Sequence, residues 1–408
     1  MEYDDPERGA RLAERTREFV DETVIPVERD WLGDGPVPWD VIEDLRDRAR
    51  ERDLYAPQAG EQWGGMELSF REVLPVFEQA GRSLLGPLAL RCSAPDEGNI
   101  HTIESFGSEA QKETWLPGLV SGDASSGFSM TEPLQGAGSD PKMIATTAER
   151  DGDEWVIDGH KWWTTGGSEA DVLLVMARTN EDVHPYEGTS VFLVPADADG
   201  VEIVRDTPHL GGDPVGISHA EIVYDGVRVP AENLLGPEDA GFAIAQQRLG
   251  PARLTHCMRF LGMADRALDI ATAYVSEREA FGSTLSEKQS LRFEIADHRT
   301  RLHAARTMVR HAAEAIDAGS DARIEVAMCK TFAANTCQAA VDTAVQCCGG
   351  NGIGKDLPLA DFYENVRQFR IIDGADEVHK RSIAREYFAD PPMGELEPIT
   401  RFGEPNRE

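Results

Sequence analysis

Two segments carry hydroxyls, glycines and aromatic rings at a spacing that suits a flat, polar ligand. The first runs Phe128-Ser129-Met130-Thr131-Glu132-Pro133 and leads into Gly136-Ala137-Gly138-Ser139-Asp140. In such a Gly-rich turn, backbone N–H groups can come close to an anion. The second is Lys161-Trp162-Trp163-Thr164-Thr165-Gly166-Gly167. Residues two apart on a strand share a face, so Trp163 and Thr165 can point to one side. Together the segments could flank a planar heterocycle, Trp163 covering it and Thr131 or Thr165 hydrogen-bonding its polar edge. Taken singly, each also reads as a turn beside core tryptophans. A third candidate is Asp373-Gly374, in a break between helical stretches. Asp there is either a turn residue or a carboxylate base.

These residues need elements to hold them, and the patterning supplies three kinds. Residues 1–122 read as a helical domain, with apolar residues spaced by three and four between Pro/Gly-rich breaks. Ser108 with Gln111 after Gly107 is a helix cap. Residues 123–236 change to period two and β-branched runs, a small β-barrel or sandwich. Within it, Asp158-Gly159 predicts a hairpin turn in EWVIDGHKWWTT. Residues 237–390 are helical again. One stripe runs Leu291, Ile295, His298, Leu302, Ala305, Val309, Ala312, Ile316, and a second runs Ile324 to Cys348. The Gly319-Ser320 break between them predicts antiparallel members of a four-helix bundle. Residues 391–408 are Pro-rich and aperiodic and read as a tail. The fold class expected is α+β: a helical domain, an interposed β-domain and a four-helix bundle.

Charge narrows the partners. The 408 residues hold 40 Lys+Arg against 73 Asp+Glu, a formal net charge of -33. That field repels nucleic acid and anionic membranes, and it suits a protein kept hydrated in molar salt. No signal peptide and no membrane-spanning run is readable. The six cysteines lack metal spacing and do not form a secreted disulfide framework, which points to the cytoplasm. No histidines stand at metal-ligand spacing, so no metal site is expected, and His256 and His379 read as packing or cap residues. Gly211-Gly212 and Gly349-Gly350 lack the strand-turn-helix context of a dinucleotide fingerprint.

The two ligand-like segments resemble the signature of the acyl-CoA dehydrogenase family, whose middle domain opens on aromatic-x-x-Thr-Glu-Pro…Ala-Gly-Ser-Asp. The resemblance continues in order through Arg248-Leu249-Gly250-Pro251-Ala252-Arg253, Arg266-Ala267-Leu268, Arg278-x-x-Phe281-Gly282, Gln289, Gln346-Cys347-Cys348-Gly349-Gly350-Asn351-Gly352 and Ile372-Asp373-Gly374…Arg385-Glu386. It covers about Phe70 to Glu386, and RLGPARLTHCMR and DGADEVHK are most similar to the branch with animal members ten and eleven. The resemblance implies FAD as cofactor. Phe128, Met130 and Thr131 would line the flavin, Gly138 and Ser139 would sit by its pyrophosphate and the CoA, and Trp163 and Thr165 would lie against the ring. Arg278, Phe281, Gln289, Gln346 and Gly350 would reach the FAD of a neighbouring subunit in a homo-oligomer, a tetramer or else a dimer. Ser139, Gly374 and Arg253 would bind substrate, with Arg253 at the CoA end of the channel.

Asp373 stands where the family has the Glu of Glu-Gly-Thr and would be the base. The reaction implied is α,β-desaturation of an acyl-CoA: the α-proton goes to Asp373, a hydride goes to flavin N5, and the electrons pass on to an electron-transferring flavoprotein. Such a base needs a pKa near the working pH, which burial beside a flavin and an apolar acyl chain would supply. Asp is one methylene, about 1.5 Å, shorter than Glu, so the turn must lie nearer the ring or the substrate must be bulkier. Leu134-Gln135 lengthen the phosphate-side turn relative to the commonest spacing. Two other classes share these features: an oxygen-reacting relative of the acyl-CoA oxidase or nitroalkane oxidase type, and a non-catalytic FAD-binding member.

Overall fold

The computed structural model describes residues 3–33, 35–211 and 216–389; the expected tail lies outside them. Helices fill the N-terminal region through Glu109–Ser121. Two of them start on capping boxes, Ser69 with Glu72 and Ser108 with Gln111, each exchanging side-chain and backbone hydrogen bonds. The expected Ser108 cap is therefore present.

Eight strands follow: β1 (Ser126–Ser129), β2 (Thr147–Asp151), β3 (Glu154–Thr165), β4 (Val172–Arg178), β5 (Thr189–Pro195), β6 (Val201–Asp206), β7 (His219–Pro230) and β8 (Leu234–Leu235). They form one sheet in the order β6-β7-β3-β2-β4-β5-β8, with β1 parallel to β4. Trp155, Ile157, Phe192, Ile222, Tyr224, Val227 and Val229 fill its interior. The hairpin predicted at Asp158-Gly159 is not there. Those residues lie inside β3 at a register shift, and the reversal joins β2 to β3 at Gly152, whose φ is +66°. The physical reason is packing. A Cβ at position 159 would meet Thr146 Oγ1 at 2.3 Å, so this glycine serves a close approach and not a turn.

The C-terminal helices Gly241–Glu277, Gln289–Asp317 and Arg323–Cys348, with the pair Leu359–Gln368 and Asp376–Ala389, make the bundle. The Gln289–Asp317 helix buries most of its expected stripe. Arg323–Cys348 is buried on several sides, Cys329, Ala333, Cys337 and Ala340 included, because it runs through the centre and needs no single apolar face. Gly262 meets the Phe70–Ala80 helix so closely that a Cβ would lie 1.9 Å from the Glu78 carbonyl. That crossing ties the N-terminal helices to the bundle in one continuous core. Among the described residues no helix is long and apolar enough to cross a membrane, and no His/Cys/Asp/Glu group could hold a metal.

Candidate active site

A cavity of about 1280 Å³ opens between the sheet and the bundle. Met130, Thr131, Trp163 and Thr165 line it from the sheet, and Arg253 and Asp373 line it from the bundle. Phe128, Gly138, Ser139 and Gly374 border it too, so residues from both ends of the chain meet at one space.

The sheet wall is shaped by a second register shift in β3, between Lys161 and Thr164. It carries Trp163 to φ +56°, which is unusual for an aromatic residue. The shift turns the indole out of the sheet, where it stays 41% exposed and faces the cavity. Thr165 Oγ1 lies 2.9 Å from His219 Nδ1. Burial, together with the neighbouring His209, pushes the His219 imidazole down to about 4, so it is neutral at pH 7. On the other wall, the Arg248 guanidinium sits 4.1 Å over the Phe128 ring and donates to Asn99 Oδ1.

Glu132, which sequence reasoning left as a motif letter, organises the Gly-rich turn. Its carboxylate accepts from the backbone N–H of Ala137, Ala145 and Thr146 at 2.7–2.9 Å. Lys161 Nζ adds a fourth donor at 2.9 Å. The turn thus closes around one buried anion, and the extra Leu134 loops outward at 94% exposure. A Cβ on Gly138 would meet no atom within 4 Å, so the turn presents open backbone there.

Asp373 occupies a turn between the last two helices, with φ +55°, followed by Gly374 at φ +96°. Arg253 Nε donates to the Asp373 carbonyl at 2.9 Å, His379 Nε2 lies 3.2 Å from it, and Lys330 Nζ donates to the Gly374 carbonyl at 2.7 Å. Side chains from three helices therefore grip two successive carbonyls. The carboxylate keeps 16% exposure and lies 2.9 Å, Oδ2 to Nδ1, from His256. Burial raises the Asp373 pKa, but the neighbouring His256 ring and the Arg253 and Arg248 guanidinium groups outweigh it and hold the group below the usual carboxylate range. In this chain the Arg253 and Arg248 guanidinium groups and the His256 ring converge on the carboxylate and favour its charged form.

His256 and His379, expected as packing or cap residues, both lie against Asp373, His256 Nδ1 beside its carboxylate and His379 Nε2 beside its carbonyl. No pattern in their local sequence could have revealed this. Arg253 lines the cavity and gives its Nε to the Asp373 carbonyl. The Arg248–Arg253 segment lies within the Gly241–Glu277 helix and does not open it. Arg278, Phe281, Gln289, Gln346 and Gly350 are exposed and away from the cavity; this chain alone does not bring them to the other site residues.

The sheet wall fits a flavin by its own chemistry, offering an indole face, the hydroxyls of Thr131 and Thr165, and an open Gly-rich backbone for phosphates. Comparisons with known proteins agree with this reading. Models of the acyl-CoA dehydrogenase N-terminal, middle and C-terminal domains match residues 6–123, 127–227 and 239–388. A Mycobacterium tuberculosis protein, "Probable acyl-CoA dehydrogenase FadE2", is 43% identical over 91% of this chain and 93% of its own length. Acyl-CoA dehydrogenase family member 11 of Gallus gallus is 35% identical over 93% of this chain; the chain spans about half of that relative, 50%. A solved structure described as PigA with FAD and proline superposes with a TM-score of 0.84 at 25% identity, covering 95% of this chain and 99% of that one.

Proposed function

The chain belongs to the acyl-CoA dehydrogenase family, and from that premise we propose that it is an FAD-dependent acyl-CoA dehydrogenase whose base is Asp373. The observation that carries this reading is the placement of a half-buried, ionised carboxylate across one cavity from Trp163 and Thr165. FAD, when bound, supplies the two-electron acceptor. The protein's part is binding, orientation and proton transfer.

Trp163, Met130 and Thr131 form the wall for the ring, and the turn closed by Glu132 offers N–H groups to phosphates. Asp373 takes the α-proton of the thioester. Because its charged form is strongly favoured, the substrate must be made more acid at Cα, and hydrogen bonds to the thioester carbonyl do that as water leaves. The grip of Arg253, His379 and Lys330 on two successive carbonyls fixes the backbone of the turn that carries the short Asp. The exposed Arg278, Phe281, Gln289, Gln346 and Gly350 support a homo-oligomer, with a tetramer favoured over a dimer, in which they reach a neighbour's FAD. The electrons leave to an electron-transferring flavoprotein, and the enzyme works in the cytoplasm.

The test is anaerobic titration of the purified, FAD-loaded protein with a panel of acyl-CoAs, followed by flavin bleaching. Wild type is expected to bleach with at least one chain type, and Asp373→Asn to keep FAD yet lose reduction by orders of magnitude. Asp373→Glu should keep measurable activity. Asp373→Asn reacting at the wild-type rate would remove the assignment, and reoxidation in air within seconds would identify an oxidase instead.

A further inference from the structure

Asp373 Oδ2 is buried and has no well-aligned hydrogen bond, while the side chain as a whole keeps some exposure. The oxygen that substrate can reach is therefore Oδ1. His256 Nδ1 lies 2.9 Å from Oδ2, and the same nitrogen lies 2.8 Å from the Ala252 carbonyl. Both oxygens are acceptors only. An unprotonated nitrogen between them would repel both, so Nδ1 must carry a proton, aimed at the Ala252 carbonyl with Oδ2 in close off-axis contact. The ring cannot easily turn away. It lies nearly parallel to Phe260 and Phe369, at 6.3 and 6.2 Å between centroids.

The backbone of Asp373 is already held through the two carbonyls, which leaves the side-chain torsions as the remaining freedom of the base. We propose that His256 is the positioning residue for this base, its polar Nδ1–H attracting Oδ2 off-axis at 2.9 Å so that Oδ1 faces the substrate α-carbon. This rests on the reading of Asp373 as the base. In the step, the Cα–H bond breaks, an Oδ1–H bond forms, and the electron pair stays on the substrate. Oδ2 remains an acceptor in both charge states of the carboxyl, so the contact with His256 persists and the imidazole neither gains nor loses a proton. A carboxylate on a short Asp arm has little reach to spare, and a misplacement of about 1 Å can cost about 10²-fold in rate.

The experiment compares His256→Phe, which keeps a stacking ring without a donor, with His256→Asn, whose amide can put a donor near the position of Nδ1. Asp373→Asn is measured beside them. We expect His256→Phe to slow anaerobic flavin reduction by about 10- to 100-fold with KM changed by less than about threefold, and His256→Asn to recover to within about fivefold of wild type. FAD content should stay at wild-type level in both, and the isotope effect with α-deuterated acyl-CoA should rise in His256→Phe. If His256→Phe loads FAD poorly, His256→Ala replaces it in the same comparison. A donor-less variant as fast as wild type, or His256→Asn no faster than that variant, would overturn the proposal. Asp373→Asn separates the two ideas. If it is inactive while the donor-less variant is normal, the base stands and His256 falls; if it is fully active, both fall.

Discussion

Lys161 Nζ and Glu132 Oε1 form an ion pair at 2.9 Å with both side chains almost fully out of solvent. The pair joins β3 to the turn before β2, behind the wall that Trp163 presents. Its two halves respond in opposite senses. Burial pushes the Lys161 ammonium down to about 8 against the pull of Glu132. Burial also raises Glu132, but Lys161 and the hydrogen bonds outweigh it and hold the carboxyl at about 2. At pH 7 both are charged, and the three backbone donors on Glu132 favour the carboxylate further.

Removing one partner strands the other. Lys161→Met is expected to destabilise the protein by about 3–5 kcal/mol, since a buried carboxylate loses its counter-charge. The double variant Glu132→Gln with Lys161→Met should recover part of that loss. Denaturant melts of the three proteins check this, and a neutral single variant would refute it.

The same carboxyl sets an acid limb. Its folded pKa lies below its ordinary value of 4.5, so its contribution is fully present above that value and is lost as pH falls toward about 2. Glu132→Gln should therefore lose less stability than wild type between those limits. Denaturant midpoints measured from pH 5 downward decide it; parallel curves would mean that Glu132 does not titrate with unfolding.

Phe281 is 95% exposed at φ +53° beside a two-stranded turn, an unfavourable place for a phenyl ring in an isolated chain. Phe281→Asp is expected to lower the mass seen by light scattering and to weaken FAD retention. Unchanged mass and unchanged FAD content would argue against a neighbour covering this site.

The net charge of -33 predicts salt dependence. Lowering KCl from molar to millimolar restores repulsion among carboxylates and should lower the melting temperature. A temperature that stays level or rises on dilution would give the acidity another origin.

The wall residues were legible because they are contiguous. Met130, Thr131, Trp163 and Thr165 sit in short strings whose spacing has meaning on a strand or turn. The bundle helices were legible for a related reason, since a 3.6-residue period writes burial into the chain. Asp158-Gly159 shows where local reading stops. The dipeptide suits a turn, but Thr146 packs against the glycine and the reversal falls at Gly152.

By itself the sequence determined the α+β order of domains, the strings that line the cavity from the sheet and a carboxylate at position 373 in register with a known family. Tertiary structure alone decided what surrounds that carboxylate. Arg253 reaches the Asp373 carbonyl from 120 residues away, Lys330 and His379 arrive on two other helices, and His256 meets Oδ2. No periodicity or motif encodes such meetings, because they arise from how the helices cross. The Asp373 pKa follows from those crossings, since it depends on groups brought within a few ångströms in space and not on neighbours along the chain.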